Sequence, residues 1–488
     1  MYQKYESVIG LEVHAQMLTE SKAFCSCSTK FGNDPNSNVC PVCLGMPGVL
    51  PVLNKKLIEY VSLMGLATNC TIRKECSFAR KNYFYPDLPK GYQISQYDEP
   101  ICTNGYIEIQ KSDGAIKKIR LNRIHMEEDA GKLIHDLSED TLVDINRCGV
   151  PLIEIVTEPD IRSSEEAYLY LTQIKQILTY LGICNGNMEE GSLRCDANIS
   201  VRLKGKEEFG TKTEVKNMNS FKNVEKAVEY EINRQIKAIE NGERIVQETL
   251  LWDANKEVAT SMRSKEEAHD YRYFPEPDLV SIQLTDDWIE SVKKSLPELG
   301  TTKKARFVKD YGIPAYDADV LTVDKSAADY FESVCNSLKA KNKDSYKQAS
   351  NWIMSEIMRV IKDKKISFNE LPLKPNNVAS LIDLINDGTI SGKIAKDVFE
   401  AIKDTNQNAK EYVVSKGLIQ ISDSGAIETC IQKILDDNAD QLAKYLSGKE
   451  QIFGFFVGQV MKEMKGKANP TIVNDVLKEK INKIKNNN

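Results

Sequence analysis

The sequence predicts an α+β protein, with a large and mainly antiparallel β-sheet cradle domain carrying helices, followed by all-α helical and tail domains. Three observations carry this expectation. Short runs of alternating apolar and polar residues, separated by Gly, Pro and Asn turns, fill residues 1 to 292. Around Leu296-Pro297-Glu298-Leu299-Gly300 the alternation gives way to apolar residues at helical spacing. At 488 residues the chain exceeds the size at which a single core keeps growing, so two or three domains are expected. The divisions fall at 1–292, 293–404 and 405–488.

Taken in order, the first strand is Gly10-Leu11-Glu12-Val13-His14, where alternation sends Ile9, Leu11 and Val13 to one face and Glu12 and His14 to the other. Cys25-x-Cys27 and Cys40-Pro-Val-Cys43 follow as two closely spaced pairs, which suit a tetrahedral structural zinc knuckle over 25–43. A redox Cys-x-x-Cys is the competing reading, and it leaves the first pair unexplained. Tyr106–Ile109, Ile116–Ile124 and Leu142–Ile145 read as further strands, and His125-Met126-Glu127-Glu128-Asp129 adds carboxylates. Ser163–Leu181 is a helix opened by a capping Ser/Glu cluster. Ser192–Ile199 alternates again, with Leu193, Cys195, Ala197 and Ile199 inward and Arg194, Asp196 and Asn198 opposite. Lys212-Thr213-Glu214-Val215-Lys216 sets Glu214 between two lysines, and Lys222–Ile239 is helical. Beyond it, Val378, Leu381, Ile382 and Ile385 mark one helix, and Val473, Val476, Leu477, Ile481 and Ile484 another. Asn469-Pro470 supplies an N-cap and first-turn proline for the latter.

The strand faces gather acids, a histidine and bases. Mg²⁺ takes oxygen ligands and shares its sites with substrate phosphates, so this set, flanked by Lys212, Lys216 and Arg194, reads as a phosphoryl-transfer or nucleotide site. The simpler reading, acids on a solvated sheet face paired with neighbouring bases, loses ground because the pattern recurs in four segments. Gly388–Lys393 is not a phosphate loop, having too few residues between its glycines and no Ser/Thr after the lysine. A net charge of −6 argues against a general nucleic-acid coat. Nine lysines and four acids within 441–488 nevertheless make that stretch +5, which suits a polyanion and equally suits a lysine-rich solvated helix face. No run approaches the ~18 apolar residues of a membrane helix and the opening residues lack a signal-peptide stretch, which points to the cytoplasm, and twelve cysteines without an export signal point away from disulfides.

Five stretches make the chain resemble the B-subunit family of the glutamine-dependent aspartyl/glutamyl-tRNA amidotransferases: Val8–His14, Arg80–Gln96, His125–Lys132, Val143–Asp160 and Met188–Ser200. Asp270–Asp278 and Gly466–Pro470 extend the likeness over nearly the whole chain. The resemblance implies a carbon–nitrogen ligase component that uses ATP to phosphorylate the side-chain carboxylate of misacylated Glu-tRNA(Gln) or Asp-tRNA(Asn), which ammonia then converts to the amide. It implies Glu12, His14, Glu128, Asp196 and Glu214 around Mg²⁺. Lys81, Tyr83, Tyr85, Lys90, Gln93, Ser95 and Gln96, with Arg194, Lys212 and Lys216, are then expected to line the cradle for ATP or the tRNA 3′ end. Arg147, Glu154, Glu158, Glu189 and Glu190 match family positions without an assignable role. The resemblance also implies a heterotrimer with an amidase (glutaminase) partner and a small third protein, and a tail that grips tRNA. A non-catalytic RNA-binding scaffold is the competing reading; a free-standing synthetase is disfavoured, since nothing here generates ammonia.

Overall fold

The computed structural model describes residues 4–135, 139–264, 271–420, 424–464 and 468–487. Asp270, Lys465, Gly466 and Lys467, which belong to stretches singled out above, lie outside them. The chain forms two compact units, Met1–Gly300 and Thr301–Asn488.

The first unit is built on one sheet of nine strands: β1 (Tyr5–Gln16), β2 (Thr71–Ile72), β3 (Cys102–Gln110), β4 (Ile116–Glu128), β5 (Pro151–Thr157), β6 (Leu193–Leu203), β7 (Thr213–Lys216), β8 (Glu248–Asp253) and β9 (Val258–Ser264). Their order is β9-β8-β7-β6-β1-β5-β4-β3-β2. All neighbours are antiparallel except β7 and β8, which run parallel. Alternation explains why β1 is central: Ile9, Leu11, Val13 and Ala15 are wholly buried on one face. Leu193, Cys195, Ala197 and Ile199 of β6 extend that face. Three helices cover it: α1 (Lys55–Ala67), α2 (Ser164–Tyr180) and α3 (Phe221–Glu240). Each aliphatic side chain so buried contributes about 1.5–3 kcal/mol. The helices start where their caps dictate. The side chains of Asn54, Ser163 and Ser220 accept from the backbone N–H of Lys56, Glu166 and Asn223.

With one face covered, the other is left open for polar side chains. A small three-stranded sheet, Ala79–Asn82, Tyr92–Ser95 and Phe274–Pro275, packs beside β4 and brings the Arg80–Gln96 stretch to this face.

From Asp286 onward every described regular element is a helix, as the change of texture near Leu296 predicts. The second unit contains two separate cores. One includes Val378, Leu381 and Ile382 of the helix Pro375–Asn386, and the other Val473, Leu477 and Ile481 of the helix Pro470–Asn487. Asn469 caps the latter, its Oδ1 accepting from Thr471 N at 3.0 Å. Ser391 likewise caps the helix Gly392–Ile402, so the Gly388–Lys393 turn serves a helix start.

Candidate metal and nucleotide site

Strand register assembles the site. Glu12 on β1 faces Asp196 on β6, and His14 faces Arg194 on one side and Glu154 of β5 on the other. Glu154 in turn faces His125 of β4, and Asn198 of β6 faces Glu214 of β7. Directly paired residues project to the same face, so these groups converge. Asn198 Nδ2 donates to Glu12 Oε1 at 2.9 Å, and Thr249 Oγ1 to Glu214 Oε2 at 3.1 Å. Lys216 Nζ lies 2.8 Å from Asp196 Oδ2 and 3.6 Å from Glu214 Oε1. Burial, then the charges of Glu154, Glu214 and Asp196, push the Glu12 carboxyl above its ordinary range. Crowded carboxylates of this kind favour a bound cation.

A second group adjoins the first. His14 Nε2 lies 3.3 Å from Glu154 Oε2, and His125 Nε2 lies 3.5 Å from the same oxygen and 3.7 Å from Glu127 Oε2. Donor atoms of His125, Glu127 and Glu154 all fall within 4.8 Å of one another. Arg123 Nε donates to His125 Nδ1 at 3.3 Å, an arrangement that assigns the imidazole proton to Nε2. His14 and His125 thus both turn Nε2 toward the same oxygen of Glu154. Burial opposes the charge on Glu127 and Glu154. Lys81 and His125 outweigh it for Glu127, and His125 and His14 for Glu154, so both stay below the usual carboxylate range. Burial also opposes the Lys81 ammonium, but Glu127, Tyr273 and Glu154 keep its pKa raised.

The expectation for Glu128 is corrected by the register. Ile124, Met126 and Glu128 share one phase of β4, facing Ile155, Ile153 and Pro151, and the first two are wholly buried. Glu128 consequently lies on the opposite face from His14 and Glu154, paired there with Lys90 and accepting from Ile94 N at 2.8 Å. Glu127, on the other phase of β4, shares the face of His14 and Glu154. Four other expectations change with it. The Lys90 side chain, 8% exposed, is committed to Glu128. Gln93, Ser95 and Gln96 are buried and brace β4: Ser95 Oγ and Gln93 Nε2 donate to Glu127 at 2.8 and 3.1 Å, and Gln96 Oε1 accepts from Met126 N at 3.1 Å. Gln93 and Ser95 thereby orient Glu127, while Gln96 holds the backbone of β4.

Tyr83 is half-buried and Tyr85 exposed. With Tyr271, Tyr273 and Tyr97 they form an aromatic cluster, Tyr97 stacking on Tyr273 at 4.1 Å, and Lys81 Nζ lies 5.1 Å from the Tyr271 ring centre. Arg194 borders a cleft of about 520 Å³ with Arg147, Asp196 and Asn217, its Nη2 2.9 Å from Asp129 Oδ2. Lys212 borders a cavity of about 320 Å³ with Glu12 and Asn198. Alternation by itself did not single out Glu154 and His125; the signal for Glu154 was a single acid in the otherwise apolar run Leu152–Val156.

Cys25, Cys27, Cys40 and Cys43 present sulfurs within 4.8 Å of one another, a donor set that fits tetrahedral zinc. Cys40 N donates to Cys43 Sγ at 3.2 Å, and the wholly buried Lys22 places Nζ 3.6 Å from it. A hydrogen bond from Cys25, the Cys40 amide and Lys22 bring the Cys43 thiol down to about 4.

A family model described as the GatB/GatE catalytic domain matches residues 7–290, and one described as the GatB domain matches residues 329–481. The B subunit of the aspartyl/glutamyl-tRNA(Asn/Gln) amidotransferase of Chlorobium limicola is 58% identical over 481 residues, covering 98% of this chain and 99% of the relative. The protein of the same name from Thermodesulfovibrio yellowstonii is 58% identical over 474 residues, 97% and 98% of the two chains. That from Geotalea daltonii is 55% identical over 482 residues, 98% and 99%. The chain therefore belongs to the B-subunit family of the aspartyl/glutamyl-tRNA(Asn/Gln) amidotransferases.

Proposed function

We propose that this chain is the activating component of a tRNA-dependent amidotransferase, which transfers the γ-phosphoryl group of ATP to the side-chain carboxylate of misacylated Glu-tRNA(Gln), Asp-tRNA(Asn) or both. The carboxylate oxygen attacks the γ-phosphorus as the bond to ADP breaks. Ammonia then attacks the acyl carbon and phosphate leaves, giving Gln-tRNA(Gln) or Asn-tRNA(Asn). A carboxylate is a poor acyl donor to ammonia until its oxygen becomes part of a leaving group, which is why ATP is consumed. The observation that carries the reading is the convergence of His14, Glu127 and Glu154 with Glu12, Asp196 and Glu214 on one polar sheet face, between Lys81 and Lys216.

The oxygen-rich donors, with His14, fit Mg²⁺, which when bound supplies charge neutralisation for the phosphates. The two lysines offset the remaining negative charge, and phosphoryl transfer depends on such positioning more than on covalent chemistry. The tyrosines around Lys81 provide faces on which an unpaired terminal base can stack. Zinc in the cysteine knuckle is structural, far in kind from the hard-ion chemistry of the acids. Residues 1–292 act as the catalytic cradle, 293–404 as a helical domain and 405–488 as a lysine-rich tail that holds tRNA. The enzyme is a cytoplasmic heterotrimer, with ammonia delivered by an amidase (glutaminase) partner and a small third protein completing the assembly. Among the described residues no helix is long and apolar enough to cross a membrane.

The test supplies the assembled enzyme with γ-labelled ATP and Glu-tRNA(Gln) or Asp-tRNA(Asn) in the absence of glutamine. A metal-dependent phosphorylated aminoacyl product is expected. ATP hydrolysis without it would overturn the assignment.

A further inference from the structure

β7 is only four residues long, yet it carries both Glu214 and Lys216. So short a strand has few ladder bonds with which to hold its height, and in a period-two element a slip of one residue exchanges the two faces. Besides its ladders with β6 and β8 and the Thr249–Glu214 and Lys216–Asp196 contacts on the acid face, groups on the far side of the sheet also pin it. Thr213 points away from the acid face toward α3, where Glu231 is wholly buried. Thr213 Oγ1 donates to Glu231 Oε1 at 2.7 Å. Arg234, on the next turn of α3, grips both oxygens of Glu231, Nε to Oε2 at 2.7 Å and Nη2 to Oε1 at 2.8 Å. Gln235 Nε2 lies 2.8 Å from Glu231 Oε1, 3.0 Å from Thr213 Oγ1 and 3.0 Å from the carbonyl of Ile199 on β6. Glu231 thus joins β7 to α3, and Gln235 ties both to β6.

Buried ion pairs are weak devices for stability, since apolar residues of the same shape serve as well or better. They do impose direction. Val215 is also inward and buried, and burial selects a face, but only a hydrogen bond sets where along its axis the strand comes to rest. We propose that Glu231 is a positioning residue: by holding Thr213 it fixes β7, and so sets the Glu214 carboxylate against Glu12 and Asp196. This rests on the reading of the acid face as a divalent-cation site.

The test titrates the purified full-length chain with Mn²⁺, following the free ion by electron paramagnetic resonance, for the wild type and for Glu214→Gln, Thr213→Val, Thr213→Ser and Glu231→Gln. Thr213→Val is isosteric and removes only the hydroxyl; circular dichroism and thermal melting verify that each variant folds. Glu214→Gln, Thr213→Val and Glu231→Gln are each expected to weaken Mn²⁺ binding by about tenfold, the lower end for partners that orient metal ligands, with Thr213→Ser restoring it. In the assembled enzyme the Mg²⁺ concentration for half-activation rises correspondingly, while the rate at saturating Mg²⁺ recovers. A loss of melting temperature with unaltered Mn²⁺ affinity in both Thr213→Val and Glu231→Gln, when Glu214→Gln does weaken binding, overturns the positioning role. Unaltered affinity in Glu214→Gln itself overturns the metal reading of this face first.

Discussion

Glu127 and Glu128 are neighbours in sequence with opposite duties, and exchanging each for glutamine separates them. Glu127 accepts from Ser95 and Gln93 and faces His125 and Lys81 on the open side. Glutamine there removes one charge from the metal-binding group and opposes its own amide to a donor it formerly accepted. A hydrogen bond to a charged group contributes about 1.5–3 kcal/mol, which converts to a rate loss of roughly 10- to 150-fold if it is expressed in the transition state. Glu128→Gln acts elsewhere: it leaves the Lys90 ammonium, 8% exposed, without its counter-ion. Breaking a buried pair from one side costs about 3–5 kcal/mol. For a unit spanning Met1–Gly300, at about 2.1 cal/mol/K of unfolding entropy per residue, this lowers the melting temperature by about 5–8 °C. The assays are ATP-dependent amidation as a function of Mg²⁺, and calorimetry. Glu127→Gln is expected to raise the Mg²⁺ requirement, and Glu128→Gln to lower thermal stability with that requirement unaltered once allowance is made for unfolded enzyme. The reverse pattern would refute the assignment of faces from strand register.

Asp196→Ala is expected to abolish formation of the phosphorylated aminoacyl product while tRNA affinity, measured by filter binding, is retained; loss of tRNA binding with activation intact would favour a scaffold. Elemental analysis of the purified chain is expected to find zinc, lost in Cys27→Ser/Cys43→Ser, with a lowered melting temperature and no change in the Mg²⁺ dependence of activation. Replacing the exposed Lys478 and Lys485 by alanine is expected to weaken tRNA binding. It should also lower the slope of log affinity against log salt by about 0.7–0.9 for each phosphate no longer neutralised, measured at several salt concentrations.

Much of the site was legible in alternation. Ile9, Leu11 and Val13 announced the buried side of β1 and therefore the open side of Glu12 and His14, because a pleated strand has only two faces. The phase of β4 was legible too: Ile124 and Met126 place Glu128 with the apolar side chains, and extending that count by one residue pair would have selected Glu127. Gln93, Ser95 and Gln96 were not legible. Their burial depends on where the hairpin of Lys81 settles against β4, and no local pattern encodes that docking.

The sequence by itself determined the α+β class, the open and buried sides of β1 and β6, the helix caps and the cysteine pairing pattern, since each follows from side-chain period or from chemistry within a few residues. The tertiary structure alone decided which strands became neighbours. Glu154 meets His14 because β5 lies beside β1, and Glu231 of α3 reaches Thr213 because that helix packs under β6. Such pairings join residues far apart along the chain, where strand order and helix docking arise from burying a shared apolar face and leave no trace in local spacing.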